Sequence, residues 1–216
     1  MDIKNIFSDA ISRVGLQLSD SSFGLLIEHY LLLEKWNSTF NLTSLLNPED
    51  IIDRLYIDSI LFHNGIPPNA PEIFDFGSGP GFPGIPLLLM RPQSRLTLVE
   101  PKQRMTSFLS EVKYAFQGRI SFDINQSRCD SPEFIDKHGK QVPIAVSKGF
   151  APPDRALQLL LPLLAPDGVY VTCTNIDTPI STPLEGPIIL EDEHTYILPL
   201  IGRTTRHLIF RHNNLI

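Results

Sequence analysis

The chain has 216 residues, enough for one domain with a substantial core, or for one domain with an appendage. Its 42% apolar and 19% charged residues are typical of a globular protein, and its net charge of −6 disfavours a general nucleic-acid binder while leaving room for a local basic patch. No apolar run approaches the roughly 18 residues of a membrane span, and the N-terminus lacks the features of a signal peptide.

The first seventy residues have the apolar periodicity of helices. A first helix is predicted over residues 3–14, and a second from an N-cap at Ser19 to about Trp36. A third is predicted over 47–63, because an asparagine cap is followed by a proline and two acids in the first turn. We interpret residues 1–70 as a helical extension packed on the core.

From Glu72 onward, predicted strands and helices alternate. The strands are expected at 72–76, 95–99, 120–124, 143–147 and 168–174, and the helices at 83–91, 102–116 and 153–164. A Pro/Thr-rich loop at 178–187 precedes two strands, near 194–200 and 205–211, that leave no room for a helix between them and predict an antiparallel hairpin. The alternation indicates a mostly parallel, doubly wound sheet over residues 71–216.

A glycine-rich segment, Asp75 to Gly84, joins the first predicted strand to the helix after it. Glycine allows close backbone approach to a ligand, and the helix N-terminus offers unpaired N–H groups. Twenty-three positions after Gly77, at the end of the second strand, Glu100 could accept both hydroxyls of a ribose. The glycine-rich segment and Glu100 together indicate a cofactor that contains adenosine. The alternative interpretation of the segment is an ordinary β–α turn.

The loop suits S-adenosylmethionine better than a dinucleotide. Its glycines follow a G-x-G-x-G spacing, Pro80 removes one amide, and Phe82 and Pro83 crowd the place of a pyrophosphate. S-adenosylmethionine has no phosphate and requires close backbone approach instead. Together with Asp75, Glu100 and the closing hairpin, the loop predicts an α/β class I S-adenosylmethionine-dependent methyltransferase: a Rossmann-like, mostly parallel sheet closed by an antiparallel hairpin, with a short helical N-terminal extension.

The ten residues from Gly77 to Pro86 closely resemble the signature of the bacterial small-subunit ribosomal RNA methyltransferase G family. The resemblance covers about residues 10–211. Other segments that resemble the family in order and spacing are Lys35-Trp36-Asn37 with Asn41-Leu42-Thr43, Arg54 with Asp58-Ser59, Gln126-Ser127-Arg128, Ser147-Lys148-Gly149-Phe150-Ala151, and Arg206-His207-Leu208.

The resemblance implies methylation of N7 of one guanine in the 530 loop of 16S rRNA, in free rRNA or a small-subunit precursor, with S-adenosylmethionine as cofactor. By position, it implies cofactor contacts at Gly77, Phe82, Cys129, Asp130 and Lys148. Glu100 is added to these predicted cofactor contacts because its carboxylate could accept the ribose hydroxyls. Asp130 could accept a hydrogen bond from the adenine amino group, or it could cap a helix that starts after it.

Three positions depart from the family pattern. Lys148 stands where the family has an arginine, and lysine keeps the charge but loses the planar fork. Leu55 replaces a histidine, and the segment ending at Asn175 lacks a Lys-Gly pair. If that lysine touches RNA, its absence removes a phosphate contact, which weakens binding without changing sequence choice.

Guanine N7 carries an exposed lone pair, so the implied reaction needs no general base. Catalysis should come from alignment of N7 with the methyl carbon at about 3 Å. We therefore interpret His63, His138 and His207 as surface or packing residues.

Arg54, Asp58 and Arg206 are candidates for positioning RNA or bracing the site. Arg54 and Asp58 lie four residues apart on a predicted helix and could equally form a simple ion pair. The basic residues near the C-terminus could form an RNA-facing patch or a solvated face; they are Arg203, Arg206, His207, Arg211 and His212.

Other chemistries fit the sequence less well. The segment Ala151 to Asp154 lacks the polar and aromatic residues of exocyclic-amine methyltransferases, and its proline suits a helix start. Cys129 and Cys173 are two lone cysteines without metal-ligand spacing, which indicates reduced cytoplasmic thiols and no metal. Two alternatives stay open: a small-molecule methyltransferase, and a cofactor-binding, ribosome-associated protein with weakened activity.

Overall fold

The computed structural model describes residues 2–180, 184 and 186–213, so residues 181–183 and 185 of the predicted loop lie outside the described part. The strands are β1 Glu72–Phe76, β2 Arg95–Val99, β3 Asp123–Asn125, β4 Val142–Ser147, β5 Leu164–Thr174, β6 Ile188–Ile197 and β7 Thr204–His212. They form one sheet in the order β3-β2-β1-β4-β5-β7-β6. β7 runs antiparallel to β5 and β6, while the other pairs are parallel. The predicted fold class is confirmed.

The helices also follow the predicted order. They are α1 Ile3–Arg13, α2 Asp20–Phe40, α3 Pro48–Ile51, α4 Asp58–Leu61, α5 Gly84–Met90, α6 Gln103–Ala115, α7 Pro132–His138 and α8 Pro153–Leu160. The α7 helix was not predicted, because its seven residues are too few for a clear periodicity. None of the helices in the described part of the chain is long and apolar enough to cross a membrane.

The predicted helix over 47–63 begins as expected but is not uniform. The side chain of Asn47 accepts a hydrogen bond from Glu49 N at 2.8 Å, which confirms the cap. A π-helical turn, Ile52–Ile57, then separates α3 from α4, and a 3₁₀ turn, Phe62–Gly65, ends the segment. Turns of this kind are frequent at functional sites, and here the π turn carries Asp53 and Arg54.

Helices cover both faces of the sheet. On one face, the ring of Phe7 meets the rings of Tyr30 and Tyr56 edge to face, in a cluster that continues through Phe108 on α6 to Leu98 on β2. On the other face, α7 and α8 cover a second apolar cluster. The first cluster thus contains residues from both sides of position 70, and the domain boundary placed there stays a prediction.

A buried carboxylate fixes the turn between β6 and β7. Asp53 Oδ2 accepts hydrogen bonds from Leu200 N at 2.7 Å and from Ile201 N at 2.9 Å. Gly202 follows with a φ of +66°, a value that favours glycine. The π turn of the N-terminal segment therefore holds the hairpin tip in place.

Asp53→Ala removes the acceptor of both hydrogen bonds. Because bonds to a charged group are among the stronger ones, we expect the free energy of unfolding to fall by about 2–3 kcal/mol. Urea unfolding measures this change. Asp123→Ala is the matched control, since Asp123 is exposed and its ion pair with Lys113 is a surface one; its loss should cost under about 1 kcal/mol. Equal losses in the two variants would contradict the role given to Asp53.

Candidate active site

The glycine loop between β1 and α5 adopts a backbone that requires glycine. Gly77, Gly79 and Gly81 have φ values of +69°, +53° and +102°. Gly77 N donates to Val99 O at 2.8 Å, which joins the loop to the end of β2. A Cβ on Gly77 would lie 2.5 Å from Cδ2 of Phe150, so no larger side chain fits between the loop and that ring.

Glu100 braces this loop. Its Oε2 accepts a hydrogen bond from Gly79 N and its Oε1 accepts one from Lys102 N, both at 2.9 Å. The side chain is buried. Each carboxylate oxygen keeps a further lone pair, so the bracing role is compatible with the predicted ribose contact, which stays a prediction.

Asp75 is fully buried behind the loop. Its Oδ2 accepts a hydrogen bond from Gly84 N at 2.8 Å, and its Oδ1 finds no donor in the described part of the chain. Burial is the main cause that raises the pKa of Asp75 to about 8, with Glu100 adding to it, so the carboxyl is protonated at neutral pH. A Cβ on Gly84 would lie 2.7 Å from Asp75 Oδ2, which explains the glycine there.

A cavity of about 220 Å³, here called the loop cavity, lies at the carboxyl ends of β1 and β2. Parallel α/β sheets bind ligands at this edge. It brings together three predicted contacts, Gly77, Cys129 and Asp130. Its apolar walls include Val99, Phe150 and Leu159.

The polar rim of the loop cavity includes the thiol of Cys129 and the carboxylate of Asp130. Burial raises the pKa of the Cys129 thiol to about 11. Arg128 donates to both oxygens of Asp130, at 2.9 and 2.8 Å, and holds the pKa of that carboxyl below its usual range. Ser131, not Asp130, caps α7 through a hydrogen bond from Phe134 N. The helix-cap alternative for Asp130 is therefore wrong.

The ring of Phe82 points away from the loop cavity. It packs edge-on against His29 and Tyr56, with ring centroids 5.4 and 4.9 Å apart, and it is buried among the N-terminal helices. The loop anchors itself to the helical extension through this ring. The predicted contact between Phe82 and the cofactor thus depends on its backbone and stays a prediction.

His29 on α2 makes a second link to the loop. Its Nε2 lies 3.2 Å from Pro80 O and its Nδ1 lies 2.8 Å from the Tyr56 hydroxyl. A carbonyl only accepts, so Nε2 carries the proton. Burial lowers the pKa of His29 to about 4; the ring is neutral at pH 7, and Nδ1 accepts from Tyr56.

A second cavity of about 470 Å³, here called the basic cavity, adjoins the first, because Ala151 lines both. Its charged lining consists of Arg54, Asp58, Lys148 and Arg203. Among the described residues, three cations thus face one carboxylate, in a chain whose net charge is −6.

Asp58 is the centre of a buried polar group behind the basic cavity. Its Oδ2 forms an ion pair with Lys148, and its Oδ1 accepts from His207 Nε2 at 2.7 Å. Burial is the main cause that lowers the pKa of His207 to about 3, so this histidine is neutral. Burial also lowers the pKa of Lys148, with smaller contributions from Arg54 and Arg203.

His207 packs against Phe62, as its interpretation as a packing residue expects, and it also donates a hydrogen bond to Asp58, which was not expected. No local pattern indicates this bond, because 149 positions separate the two residues. His138 does pack, against Phe74 and Phe134.

The alternative of a simple ion pair between Arg54 and Asp58 is wrong. Arg54 instead lies 3.9 Å from an Asp50 oxygen, while Asp58 is taken by Lys148 and His207. The wider π turn between α3 and α4 alters the spacing on which the i,i+4 argument depends.

Arg206 is held by the protein itself. Its guanidinium pairs with Glu193 at 2.6 Å and donates to Thr178 O at 3.0 Å. Arg211 pairs likewise with Glu191. Successive residues of a strand face opposite sides of the sheet, so Arg206 points away from the buried group that contains His207. Its predicted contact with RNA stays a prediction that would require this ion pair to open.

Comparisons with known proteins match these observations. The family profile described as "GidB: rRNA small subunit methyltransferase G" matches residues 24–175. The chain is similar to the ribosomal RNA small subunit methyltransferase G of Nitrosomonas europaea, with 37% identity over 62% of this chain and 59% of that protein. It thus spans less than two thirds of that relative. With the methyltransferase G of Polynucleobacter asymbioticus, it shares 34% identity over 74% and 72% of the two chains.

Among solved structures, the chain is similar to a Burkholderia thailandensis 1,6-didemethyltoxoflavin-N1-methyltransferase with bound S-adenosylhomocysteine. The TM-score is 0.55 and the sequence identity 14%, over 87% of this chain and 90% of the other. At this identity the likeness concerns the fold alone.

The neutral His29 makes stability depend on pH. Between about pH 6.5 and 4 the unfolded chain binds a proton at this residue and the folded chain does not, so the free energy of unfolding falls as the pH falls through this window. His29→Gln keeps a donor toward Pro80 but does not titrate. In urea unfolding, the wild-type slope with pH should exceed that of the variant by up to about 1.4 kcal/mol per pH unit.

His207 titrates in the same direction and remains in both proteins, so the difference between their slopes isolates His29. His29→Phe also removes the titration, but it leaves Pro80 O without its donor. At about pH 7 it should therefore be less stable than His29→Gln by about 1–3 kcal/mol. Identical slopes in wild type and His29→Gln would contradict the buried, neutral state of the ring.

Proposed function

The chain belongs to the GidB family, rRNA small subunit methyltransferase G, and from this premise we propose that it transfers a methyl group from S-adenosylmethionine to N7 of a guanine in the 530 loop of 16S rRNA. The substrate is free rRNA or a small-subunit precursor, and the place of action is the cytoplasm. The observation that supports this most directly is the pair of adjoining cavities, one beside the glycine loop and one lined by cations.

The residues of the loop cavity fit the adenosine part of S-adenosylmethionine. Val99, Phe150 and Leu159 offer apolar contact to a purine, and Asp130 offers an acceptor for its amino group. Glu100 and Gly77 lie at the loop, where they would meet the ribose and the methionine part. When bound, S-adenosylmethionine would supply an activated methyl group.

The basic cavity fits the nucleotide that carries the acceptor base. Its cations offset phosphate charge, and its junction with the loop cavity at Ala151 lies where the two reactants would meet. Guanine N7 needs no deprotonation, so the protein contributes alignment and the exclusion of water rather than a base. In keeping with this, both oxygens of Asp58 are already engaged, by Lys148 and by His207.

The ammonium of Lys148 forms an ion pair with Asp58 and lacks the bidentate geometry of the arginine that the family has at this position. The ammonium and carboxylate together fix the segment after β4, which carries Gly149, Phe150 and Ala151 between the two cavities. We therefore assign Lys148 and Asp58 to bracing this segment and Arg54 to the mouth of the basic cavity. The cofactor contact of Lys148 would then be indirect.

Gly77→Val should abolish cofactor binding. The new side chain would meet Phe150 at a positive φ and close the loop cavity from the loop side. In calorimetry, the dissociation constant for S-adenosylmethionine should rise about 100-fold or more, which corresponds to about 2.7 kcal/mol. Gly118→Val is the matched control, because Gly118 has a φ of +78° and its Cβ would meet nothing within 4 Å. If Gly77→Val binds like the control, the cofactor does not occupy the loop cavity.

Transfer of a labelled methyl group tests the activity itself. We expect label on 30S subunits or naked 16S rRNA, at N7 of one guanine in the 530 loop. Label on small molecules but not on RNA would favour a small-molecule methyltransferase instead. Tight binding of S-adenosylmethionine without any transfer would favour the weakened, cofactor-binding protein.

A further inference from the structure

Arg203 is a cation at the basic cavity whose charge no carboxylate offsets within the described part of the chain. Its Nη2 donates to Asn175 Oδ1 at 2.7 Å, and this neutral amide orients the guanidinium without cancelling its charge. Arg206 and Arg211 of the same basic cluster instead pair with Glu193 and Glu191, both at 2.6 Å. Within the described part of the chain, carboxylates therefore neutralise Arg206 and Arg211 but not Arg203, which lies at the basic cavity.

The backbone holds Arg203 firmly in this place. Leu198 N donates to Arg203 O at 2.8 Å, and Gly202 N donates to Leu198 O at 2.9 Å, so the hairpin tip is a closed turn. Asp53 fixes the same turn through Leu200 N and Ile201 N. Arg54, the next residue after Asp53, also lines the basic cavity. One π turn thus sets the positions of two arginines at one cavity.

Electrostatics agrees with this geometry. Arg54 and Arg203 line the same cavity as the buried Lys148, and both add to the effect of burial in lowering the pKa of Lys148. The pair of Arg54 with Asp50 is long, at 3.9 Å, and both side chains are more than a third exposed, so it leaves most of the charge of Arg54 available. The group that suits such a site is a phosphate, since a planar guanidinium matches its oxygens.

We propose that Arg203, oriented by Asn175 and placed beside Arg54, contacts an RNA phosphate next to the target guanine and positions that nucleotide over the junction of the two cavities. This inference depends on the proposed function, because it assumes an RNA substrate. It assigns the phosphate contact to Arg203 rather than to Arg206.

Salt dependence of RNA binding tests the contact. The probe is an end-labelled 16S rRNA fragment that contains the 530 loop, and its dissociation constant is measured by fluorescence anisotropy over a range of salt concentrations. Each phosphate contact adds about 0.7–0.9 to the slope of log K against log salt. Arg203→Gln should lower the slope by about this amount and weaken binding, whereas the dissociation constant for S-adenosylmethionine should not change.

Asn175→Asp provides an isosteric test that leaves Arg203 in place. The new carboxylate would stand 2.7 Å from the guanidinium and neutralise it, so the slope should fall as in Arg203→Gln. Arg203→Lys should retain most of the slope, because it keeps the charge. The matched control is Arg95→Gln, which removes an exposed arginine from the start of β2, at the edge of the sheet opposite the cavities.

The outcomes separate the two proposals. An unchanged slope in Arg203→Gln, or an equal fall in Arg95→Gln, overturns the phosphate contact. A wild-type protein that binds the RNA but transfers no methyl group contradicts the proposed function, and the slopes of the variants still decide the contact. A wild-type protein that does not bind the RNA at all overturns both.

Discussion

The architecture of the site depends on one buried carboxylate, that of Asp58. It joins three segments that are distant in sequence: α4, the segment after β4 through Lys148, and the antiparallel strand β7 through His207. Buried ion pairs are weak contributors to net stability, but removal of one partner leaves an uncompensated charge and costs about 3–5 kcal/mol. The group therefore acts chiefly as a positional constraint, because few other arrangements of these three segments satisfy it.

The helical extension, residues 1–70, also contacts the loops of the site through residues that are distant in sequence. Asp53 binds the amides of the β6–β7 turn, His29 donates to the glycine loop at Pro80, and Phe82 reaches back from that loop to the extension. Each contact joins a residue of the first seventy to a loop between two elements of the sheet domain. Since loops at the edge of a sheet are the least constrained parts of this fold, the extension supplies the order that an alignment-dependent reaction requires.

The sequence predicted what depends on local pattern. The alternation of apolar runs indicated the seven strands, the mostly parallel sheet and its antiparallel hairpin, though not the order of the strands, and the glycine spacing indicated where the loop cavity lies. The contacts that the sequence did not indicate share one physical cause, because each involves a partner outside the local window. For Asp58 the local pattern offered only its helical neighbour Arg54 as a possible ion-pair partner, whereas its partners in the structure are Lys148 and His207. The sequence also contained no sign that tertiary packing draws the ring of Phe82 toward His29 and Tyr56.

The chain as a whole is acidic, whereas the lining of the basic cavity is cationic. A net charge of −6 disfavours the general binding of nucleic acid to the surface. The basic cavity reverses this sign locally, with three cations against one carboxylate, and a concave low-dielectric site focuses such a field. An acidic chain with a basic cavity therefore gains selectivity at the expense of general affinity. A ligand that placed a phosphate inside the cavity would meet this positive field, whereas a ligand on the surrounding surface would meet the net negative charge of the chain.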